Sequence, residues 1–404
     1  MLYRAFQAQS DAAEQTRLWG SVLHGAVAPW SSGAMGEPAR WWLAGTRMMM
    51  RSGLTFTRPD YGIGTVQVGN RAVPVVEEAV LATPFGTLLR FRKDIDSVQP
   101  KVLVLAPLSG HFATLLRGTV RTLLPDHDVY ITDWHNARDV PLSAGRFGFD
   151  DYVDHVVRFI ETMGEGAHLL AVCQPAVQAL AAAAVMAQTK NAAQPRSMTL
   201  MAGPVDCRVS PTSVNELATS KPIEWFEENL ICTVPECFAG AGRRVYPGFL
   251  QVSAFVSMNA QRHMQAHTDL FWHYVNAEYD KARAIESFYD EYFAVLDLTA
   301  EFYIETVKTV FQDYTLAKNE LTYRGEPIDM GAIRRTALMT VEGERDDICS
   351  VGQTMAAHDL CMGLPGHMKS HHLQTGVGHY GVFSGRRFEA QTYPLVRNFI
   401  ASHA

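Results

Sequence analysis

The segment His168-Leu-Leu-Ala-Val-Cys-Gln-Pro-Ala176 decides how the rest of the sequence is interpreted. Residues 168–172 form a short apolar run, which predicts a buried strand. An alanine-rich stretch at residues 177–186 follows almost at once and has high helical propensity. Pro175 is compatible with the first turn of that helix, because a backbone N–H has no intrahelical role there. The segment therefore predicts a strand and a helix joined by a sharp turn, with the thiol of Cys173 at the corner.

Two interpretations of this turn are open. It resembles a degenerate form of the nucleophile elbow of α/β-hydrolases, which is usually written G-x-S-x-G. Ala171 and Pro175 stand at the positions of the glycines, and Cys173 stands at that of the serine. Alternatively, Cys173 is a structural thiol, because free cysteine behaves as a small hydrophobe and is often buried in a core.

Composition argues against several classes of protein. The chain has 404 residues and a formal net charge of -7 without a lysine- or arginine-rich run, so a nucleic-acid partner is not expected. Six cysteines in a chain of this length do not indicate a disulfide framework, and Cys232 and Cys237 are too far apart for a C-x-x-C zinc pair. We therefore expect no metal and no cofactor. The first residues lack the apolar core of a signal peptide and no apolar stretch is long enough to span a bilayer, which predicts a cytoplasmic protein.

Short apolar runs alternate with predicted helices through much of the chain. The runs that predict parallel strands lie at residues 102–106, 129–132, 168–172, 197–201, 336–341 and 368–373. Three earlier β-type runs, at residues 66–68, 73–80 and 88–92, predict an antiparallel entry to the sheet. Together they predict an α/β fold, the α/β-hydrolase fold, with a mostly parallel central sheet, helices on both faces and an inserted helical cap.

The same pattern divides the chain into three parts: an N-terminal helical arm at residues 1–60, an α/β-hydrolase core at 61–206 and 330–404, and a helical cap or lid without strands at 207–329. The arm is rich in large side chains, among them Trp19, Trp30, Trp41 and Trp42. One interpretation is that the arm packs on the main domain, or on a second subunit in a homodimer. The other is that it adsorbs to a hydrophobic surface.

A candidate catalytic triad follows the chain order of α/β-hydrolases, in which the nucleophile precedes the acid and the base comes last. Cys173, Asp346 and His379 each come directly after a predicted strand, where ligands gather in open α/β sheets. The imidazole would take the proton of the thiol and later pass it to the leaving alcohol, and the carboxylate would orient the imidazole. Asp347 is adjacent to Asp346, but the usual spacing of three residues after the loop glycine favours Asp346. Asp133 and Asp206 also lie near strand ends and rank lower.

Charge that develops on the carbonyl oxygen requires fixed N–H donors. One candidate is the backbone N–H of Gln174, the residue after the nucleophile. The second is expected from the loop at residues 108–111, with Ser109 and His111 as candidates. A separate histidine pair, His263 and His267, has helical spacing but no following acid in a familiar zinc pattern, which favours a solvated or structural pair.

Seven stretches of the sequence resemble the intracellular poly(3-hydroxybutyrate) depolymerases of the short-chain polyhydroxyalkanoate class, within the α/β-hydrolase superfamily. They lie at residues 106–111, 131–138, 171–175, 246–250, 297–303, 342–347 and 378–385. That family uses a cysteine in place of the serine of the elbow, so the resemblance implies a triad of Cys173, Asp346 and His379. It also implies a carboxylic ester hydrolase of the cytoplasm that acts on amorphous polymer at the surface of storage granules and releases 3-hydroxybutyrate oligomers and monomer.

Three alternatives to hydrolysis are open. A polyhydroxyalkanoate synthase shares the fold and a cysteine nucleophile, but its elbow resembles G-x-C-x-G-G and residues 171–176 do not fit it well. Thiolysis to 3-hydroxybutyryl-CoA would use coenzyme A in place of water. A non-catalytic granule-associated protein would keep the fold without turnover.

Overall fold

The computed structural model describes residues 2–29, 36–95 and 98–404, so Trp30 of the predicted arm lies outside the described residues. Within those ranges the strands are β1 Thr65–Val68, β2 Arg71–Ala82, β3 Gly86–Lys93, β4 Lys101–Leu105, β5 Asp128–Trp134, β6 Ala167–Val172, β7 Ser197–Met201, β8 Cys232–Thr233, β9 Arg244–Tyr246, β10 Leu298–Thr299, β11 Thr322–Tyr323, β12 Glu326–Pro327, β13 Ala337–Gly343 and β14 Lys369–Gln374.

The helices occupy most of the connections between these strands. In the described part of the chain the α-helices are α1 Leu2–Val27, α2 Gly36–Met50, α3 Arg117–Leu123, α4 Phe149–Met163, α5 Pro175–Gln188, α6 Ser213–Thr219, α7 Ile223–Leu230, α8 Gly248–Met258, α9 Ala260–Val275, α10 Tyr279–Tyr292, α11 Ala300–Thr306, α12 Ala357–Leu360, α13 Gly385–Arg387 and α14 Tyr393–Ala401. The π-helical segments are Val307–Gln312 and Phe388–Thr392. None of the helices in these described ranges combines the length and the apolar character that crossing a membrane requires.

The central sheet contains nine strands of the described chain in the order β1-β2-β3-β5-β4-β6-β7-β13-β14. The strands β1, β2, β3 and β5 pair in antiparallel fashion. From β5 to β14 every neighbouring pair is parallel. The predicted mostly parallel α/β sheet with an antiparallel entry is therefore confirmed.

The middle of this sheet is the core of the molecule. Every residue of β6, β7 and β13 is buried. Strands that are covered on both faces select continuous apolar runs instead of alternating ones, because neither face meets water. This explains why these strands were recognisable in the sequence. Because β6, β7, β13 and β14 run parallel, their carboxyl ends lie at one edge of the sheet, where the loops after β6, β13 and β14 meet.

The segment between β7 and β13 differs from its prediction. We expected no strands there, and that expectation is wrong. In the described structure β10, β9 and β8 form a small sheet, and β11 pairs with β12. These strands have two or three residues each, which is too short for an alternating pattern to identify them.

The N-terminal helices contact the rest of the chain through aromatic side chains. Trp41 of α2 packs edge-to-face on Trp272 of α9, with ring centroids 5.0 Å apart. Other large side chains of the same helices stay exposed, with 62% of Leu18 and 69% of Trp19 accessible to solvent. Only part of the apolar surface of these helices is therefore used in packing within the chain.

Asp297 joins three distant parts of the chain. Its buried carboxylate accepts hydrogen bonds from the Tyr3 hydroxyl at 2.5 Å and from the Gly248 backbone N–H at 2.8 Å. Its backbone N–H donates to the Asn136 side-chain oxygen at 3.0 Å, and its carbonyl accepts from the Ala137 N–H at 3.0 Å. The start of α1 and the start of α8 therefore meet at this carboxyl group, and the loop after β5 binds the backbone of the same residue.

The Asp297 carboxyl should make stability depend on pH. Burial raises its pKa to about 6, against the opposing hydrogen bonds from Tyr3 and Gly248. The folded protein therefore holds a proton that the unfolded chain releases near pH 4, so the stabilisation from this group is present below about pH 4 and is lost as the pH rises through about 6. We expect Asp297→Asn to match the wild type near pH 4 and to exceed it at pH 8 by on the order of 3 kcal/mol.

Denaturant unfolding between pH 4 and pH 8 measures this difference. Asp359→Asn, which changes an exposed aspartate, is the matched control and should follow the wild-type curve. If the Asp297→Asn and wild-type free energies of unfolding run parallel across this range, the carboxyl does not titrate as described.

Candidate active site

Cys173 lies at the turn between β6 and α5, at the carboxyl edge of the sheet. Its backbone has φ of 65°, in the left-handed region, which costs an L-residue free energy and persists only where the surroundings fix it. One such contact is the Cys173 N–H, which donates to the Met201 carbonyl at 2.8 Å, just past the end of its own strand. A strand, a strained turn and a helix in this order are the geometry of a nucleophile elbow.

The close packing around this turn depends on a glycine that the sequence motif does not contain. A Cβ placed on Gly203, just after β7, would lie 2.1 Å from the Ala176 Cβ and 3.0 Å from the Cys173 carbonyl oxygen. The first turn of α5 therefore packs directly against the loop after β7, and this close contact is possible because Gly203 of that loop has no side chain. Sequence reasoning missed Gly203, because its only signal was the pair Gly203-Pro204 at the end of a predicted strand.

The structure brings the predicted acid and base together beside Cys173. The His379 Nδ1 lies 2.8 Å from the Asp346 Oδ2, and both side chains are buried. The other carboxylate oxygen of Asp346 accepts the backbone N–H groups of Ile348 at 2.9 Å and Cys349 at 2.8 Å. These bonds hold the carboxylate against the imidazole, as an orienting acid requires.

The other candidate acids have different partners. Asp347 is exposed and accepts a hydrogen bond from the Asn259 side chain at 3.2 Å. Asp133 pairs with Arg58 at 2.8 Å. Asp206 pairs with the exposed Arg208 at 2.8 Å.

The electrostatic environment favours a charged imidazole. Burial alone would lower the pKa of His379, but electrostatic interactions with Cys173 and Asp346, together with hydrogen bonds to both, raise it well above its usual value. His379 therefore has an acceptor on one side and the sulfur on the other. A histidine held between a carboxylate and a cysteine sulfur is an arrangement suited to nucleophilic catalysis.

Two backbone N–H groups near Cys173 are free to bind an anion. In the described part of the chain, neither the Gln174 N–H nor the Ser109 N–H donates to a protein acceptor. Gln174 stands at the start of α5, where the partial positive charge of the helix terminus also favours an oxyanion. Both residues line the cavity that contains Cys173 and His379.

The loop that carries Ser109 is held by Gly110 and His111. Gly110 has φ of 93°, and a Cβ there would lie 2.6 Å from the Gln251 Cγ, so the position requires glycine. The His111 Nε2 lies 3.0 Å from the Tyr292 carbonyl, and burial lowers the pKa of His111 to about 4. A neutral His111 ring therefore fastens the loop to the end of α10, which leaves its backbone as the part that can serve the site.

The cavity above Cys173 is predominantly apolar. The core contributes residues such as Leu108 and Leu115, and the segment between β7 and β13 contributes Phe255, Phe302 and Phe311. Such a cavity binds a flexible, weakly polar chain by burial of apolar surface.

The histidine pair of the predicted cap has structural contacts. The His263 Nδ1 lies 2.9 Å from the Tyr289 hydroxyl, and the His267 Nδ1 lies 2.9 Å from the His263 carbonyl. Within the described ranges, no group of three or more His, Cys, Asp or Glu side chains is arranged to hold a metal ion.

The sheet order, the elbow at Cys173 and the His379–Asp346 pair at the same edge define the chain as an α/β-hydrolase. Residues 202–404 match the family model described as PHB de-polymerase C-terminus. The chain therefore belongs to the poly(3-hydroxybutyrate) depolymerase family, and the activity of this class is ester hydrolysis.

Solved structures of other hydrolases are similar to this chain in fold alone. One is the 2-hydroxy-6-oxo-6-phenylhexa-2,4-dienoate hydrolase of Rhodococcus sp. strain RHA1, with 10% identity, 81% of this chain and 99% of that chain covered, and a TM-score of 0.44. Another is an epoxide hydrolase of Bacillus megaterium, with 10% identity, coverage of 83% and 99%, and a TM-score of 0.47. A search of curated proteins found no match to the chain.

Proposed function

We propose that the protein is an intracellular depolymerase that hydrolyses amorphous poly(3-hydroxybutyrate) through a cysteine thioester. Cys173 is the nucleophile, His379 the general base and acid, and Asp346 the residue that orients His379. The observation that carries this proposal is the cysteine at φ 65° in the elbow, with a buried histidine–aspartate pair directly behind it. A structural thiol would require neither the strained turn nor the charged partners.

The reaction follows from these positions. The Cys173 sulfur attacks the ester carbonyl carbon, and the carbonyl electrons move onto oxygen, where the N–H groups of Gln174 and of the loop at Ser109 and His111 stabilise the charge. Collapse of this intermediate breaks the carbon–oxygen bond, and His379 gives its proton to the leaving alkoxide. Water then attacks the thioester carbonyl while His379 accepts a proton from it, and the carbon–sulfur bond breaks. The carboxylic acid leaves, and His379 returns the proton to the Cys173 sulfur.

The shape and chemistry of the cavity support a polyester substrate. A polyester of short hydroxyacids is flexible and mostly apolar, so its chain gains free energy on burial between the core and the segment at residues 207–329. We propose that this segment acts as the cap, that residues 61–206 and 330–404 form the catalytic core, and that residues 1–60 form an arm. The exposed Leu18 and Trp19 of the arm support contact with the granule surface.

Turnover of protein-free amorphous granules tests the proposal. The granules are incubated with the protein at constant pH, acid release is titrated, and the products are separated by chromatography. We expect 3-hydroxybutyrate oligomers and monomer to appear without coenzyme A, and crystalline polymer to react much more slowly because its chains cannot enter the cavity. Absence of acid release from amorphous granules, or product formation only when coenzyme A is added, would refute it.

A further inference from the structure

One face of helix α8 forms a wall of the cavity at Cys173 and presents a polar side chain to it. Gln251, Ala254, Phe255 and Met258 all line this cavity. Positions i, i+3, i+4 and i+7 lie on the same side of an α-helix, so these four residues form one stripe. Three of them are apolar, and Gln251 is the polar member of the stripe. The Gln251 side chain is therefore directed at the cavity by its place on the helix.

The amide of Gln251 is available to a ligand. Among the described residues, no protein group donates to its oxygen or accepts from its nitrogen. Gln251 is half-buried, and both amide atoms keep accessible surface. The amide of Gln312, in the same segment of the chain, differs in this respect, because its nitrogen donates to the carbonyls of Ala218 and Lys221 at 2.8 and 3.0 Å. A free amide on the wall of an apolar cavity is a group that orients a bound molecule.

The Gln251 side chain lies against the loop that carries the candidate oxyanion donor Ser109. A Cβ on Gly110 would lie 2.6 Å from the Gln251 Cγ, 2.9 Å from its Cβ and 3.9 Å from the amide carbon Cδ. The stem of Gln251 therefore packs on the backbone of Gly110, and the absence of a side chain there makes room for it. The Gly110 carbonyl accepts the Leu296 N–H at 2.9 Å, which ties the loop to the same segment. The Gln251 amide and the free Ser109 N–H thus belong to the same part of the cavity.

We propose that the Gln251 NH₂ group donates a hydrogen bond to the carbonyl oxygen under attack, beside the backbone N–H groups of Gln174 and of the loop at Ser109. This inference rests on the proposed function and adds a catalytic residue from the segment that we propose as the cap. Glutamine amides are among the side chains that serve as oxyanion donors, and a donor acts more strongly where apolar walls exclude water. The cap then takes part in the chemistry as well as covering the substrate.

Two variants remove the donor, and a third is their control. Gln251→Met keeps an unbranched side chain that can pack on Gly110 but has no N–H group. Gln251→Glu keeps the length of the side chain, and at pH 8 its carboxylate accepts hydrogen bonds and repels an oxyanion. Met258→Leu changes the same stripe of α8 without removing a donor.

The experiment compares a molecule that forms the oxyanion with one that does not. The Cys173 sulfur adds to the carbonyl carbon of a trifluoromethyl hexyl ketone, and the carbonyl electron pair moves onto oxygen. The matching trifluoromethyl hexyl carbinol fills the cavity without addition. We expect Gln251→Met to raise the inhibition constant of the ketone by about 10²-fold, the effect of one oxyanion donor, and to leave that of the carbinol unchanged. Gln251→Glu should raise the ketone constant further, and Met258→Leu should keep the wild-type ratio of the two constants.

Turnover of p-nitrophenyl butyrate provides a second measurement on the same variants. Because the oxyanion exists only during the reaction, Gln251→Met should lower kcat by about 10²-fold with little change in KM. Active sites are counted by titration with iodoacetamide, so that an unfolded fraction does not lower the apparent kcat.

The outcomes separate this inference from the proposed function. If Gln251→Met keeps the wild-type ketone constant, or raises the ketone and carbinol constants equally, the inference is overturned and the cysteine ester hydrolase stands. An equal change of the ratio in Met258→Leu also overturns it, because the shape of the cavity would then explain the effect. If the wild type neither hydrolyses the ester nor forms the ketone adduct, the proposed function itself fails.

Discussion

Cys173→Ala is expected to reduce ester hydrolysis by at least about 10⁴-fold, because the thioester cannot form without the sulfur. The remaining N–H donors and the cavity still bind substrate, so binding of a 3-hydroxybutyrate oligomer should persist while its cleavage stops. The measurement is acid release from a dissolved ester and from amorphous granules, with oligomer binding followed by calorimetry. Circular dichroism should be unchanged, because alanine accommodates the turn nearly as well as cysteine does.

Cys207→Ala is the matched control for this variant. Cys207 is buried, and burial, with the charge of Asp206, raises the pKa of its thiol to about 12, so it is protonated and a poor nucleophile at neutral pH. Its replacement should leave turnover close to the wild-type rate. Substantial residual activity in Cys173→Ala, or equal losses in the two variants, would remove Cys173 from the proposed role.

The parts of the site that the sequence could predict are those set by strand ends. Cys173, Asp346 and His379 each follow an apolar run, and the carboxyl ends of parallel strands lie at one edge of a sheet. Their order in the chain and their places after strand ends therefore predicted that these three residues lie close together, although Cys173 and His379 are 206 residues apart in the sequence. The triad itself stays a proposal until the variants are measured.

The parts that the sequence could not predict depend on contacts between distant segments. The hydrogen bond from Tyr3 to Asp297 joins residues 294 positions apart, and neither residue has a local pattern that indicates the other. Gly203 makes room for α5 from a neighbouring loop, so a motif confined to the elbow does not contain it.

A buried carboxylate also overrode local helical propensity. Local propensity favours a helix over residues 352–361, but α12 covers only Ala357–Leu360. Glu342 is buried at the end of β13 and accepts the backbone N–H groups of Gly352, Thr354 and Met355 at 2.8 to 3.0 Å. These N–H groups satisfy a charged side chain, and the segment forms turns around it instead of a regular helix.

Asp346→Asn is expected to lower kcat by about 10³- to 10⁴-fold with a much smaller effect on KM. The asparagine can still accept the N–H groups of Ile348 and Cys349 through its oxygen. Its NH₂ group would then face the His379 Nδ1, which favours the wrong tautomer of the ring and withdraws the negative charge that supports the imidazolium.

Asp347→Asn tests the same chemistry one residue further along an exposed turn. It removes a carboxylate that contacts Asn259 and should keep nearly full activity. The pH–rate profile separates an electrostatic role from a structural one: because Asp346 raises the pKa of His379, its neutralisation should move the histidine-dependent limb to lower pH. Equal losses in the two variants would mean that the loop needs both carboxylates for its shape. A loss of activity confined to Asp346→Asn, together with the shifted limb of the pH–rate profile, would instead mean that catalysis needs the carboxylate of Asp346 itself, next to the His379 ring.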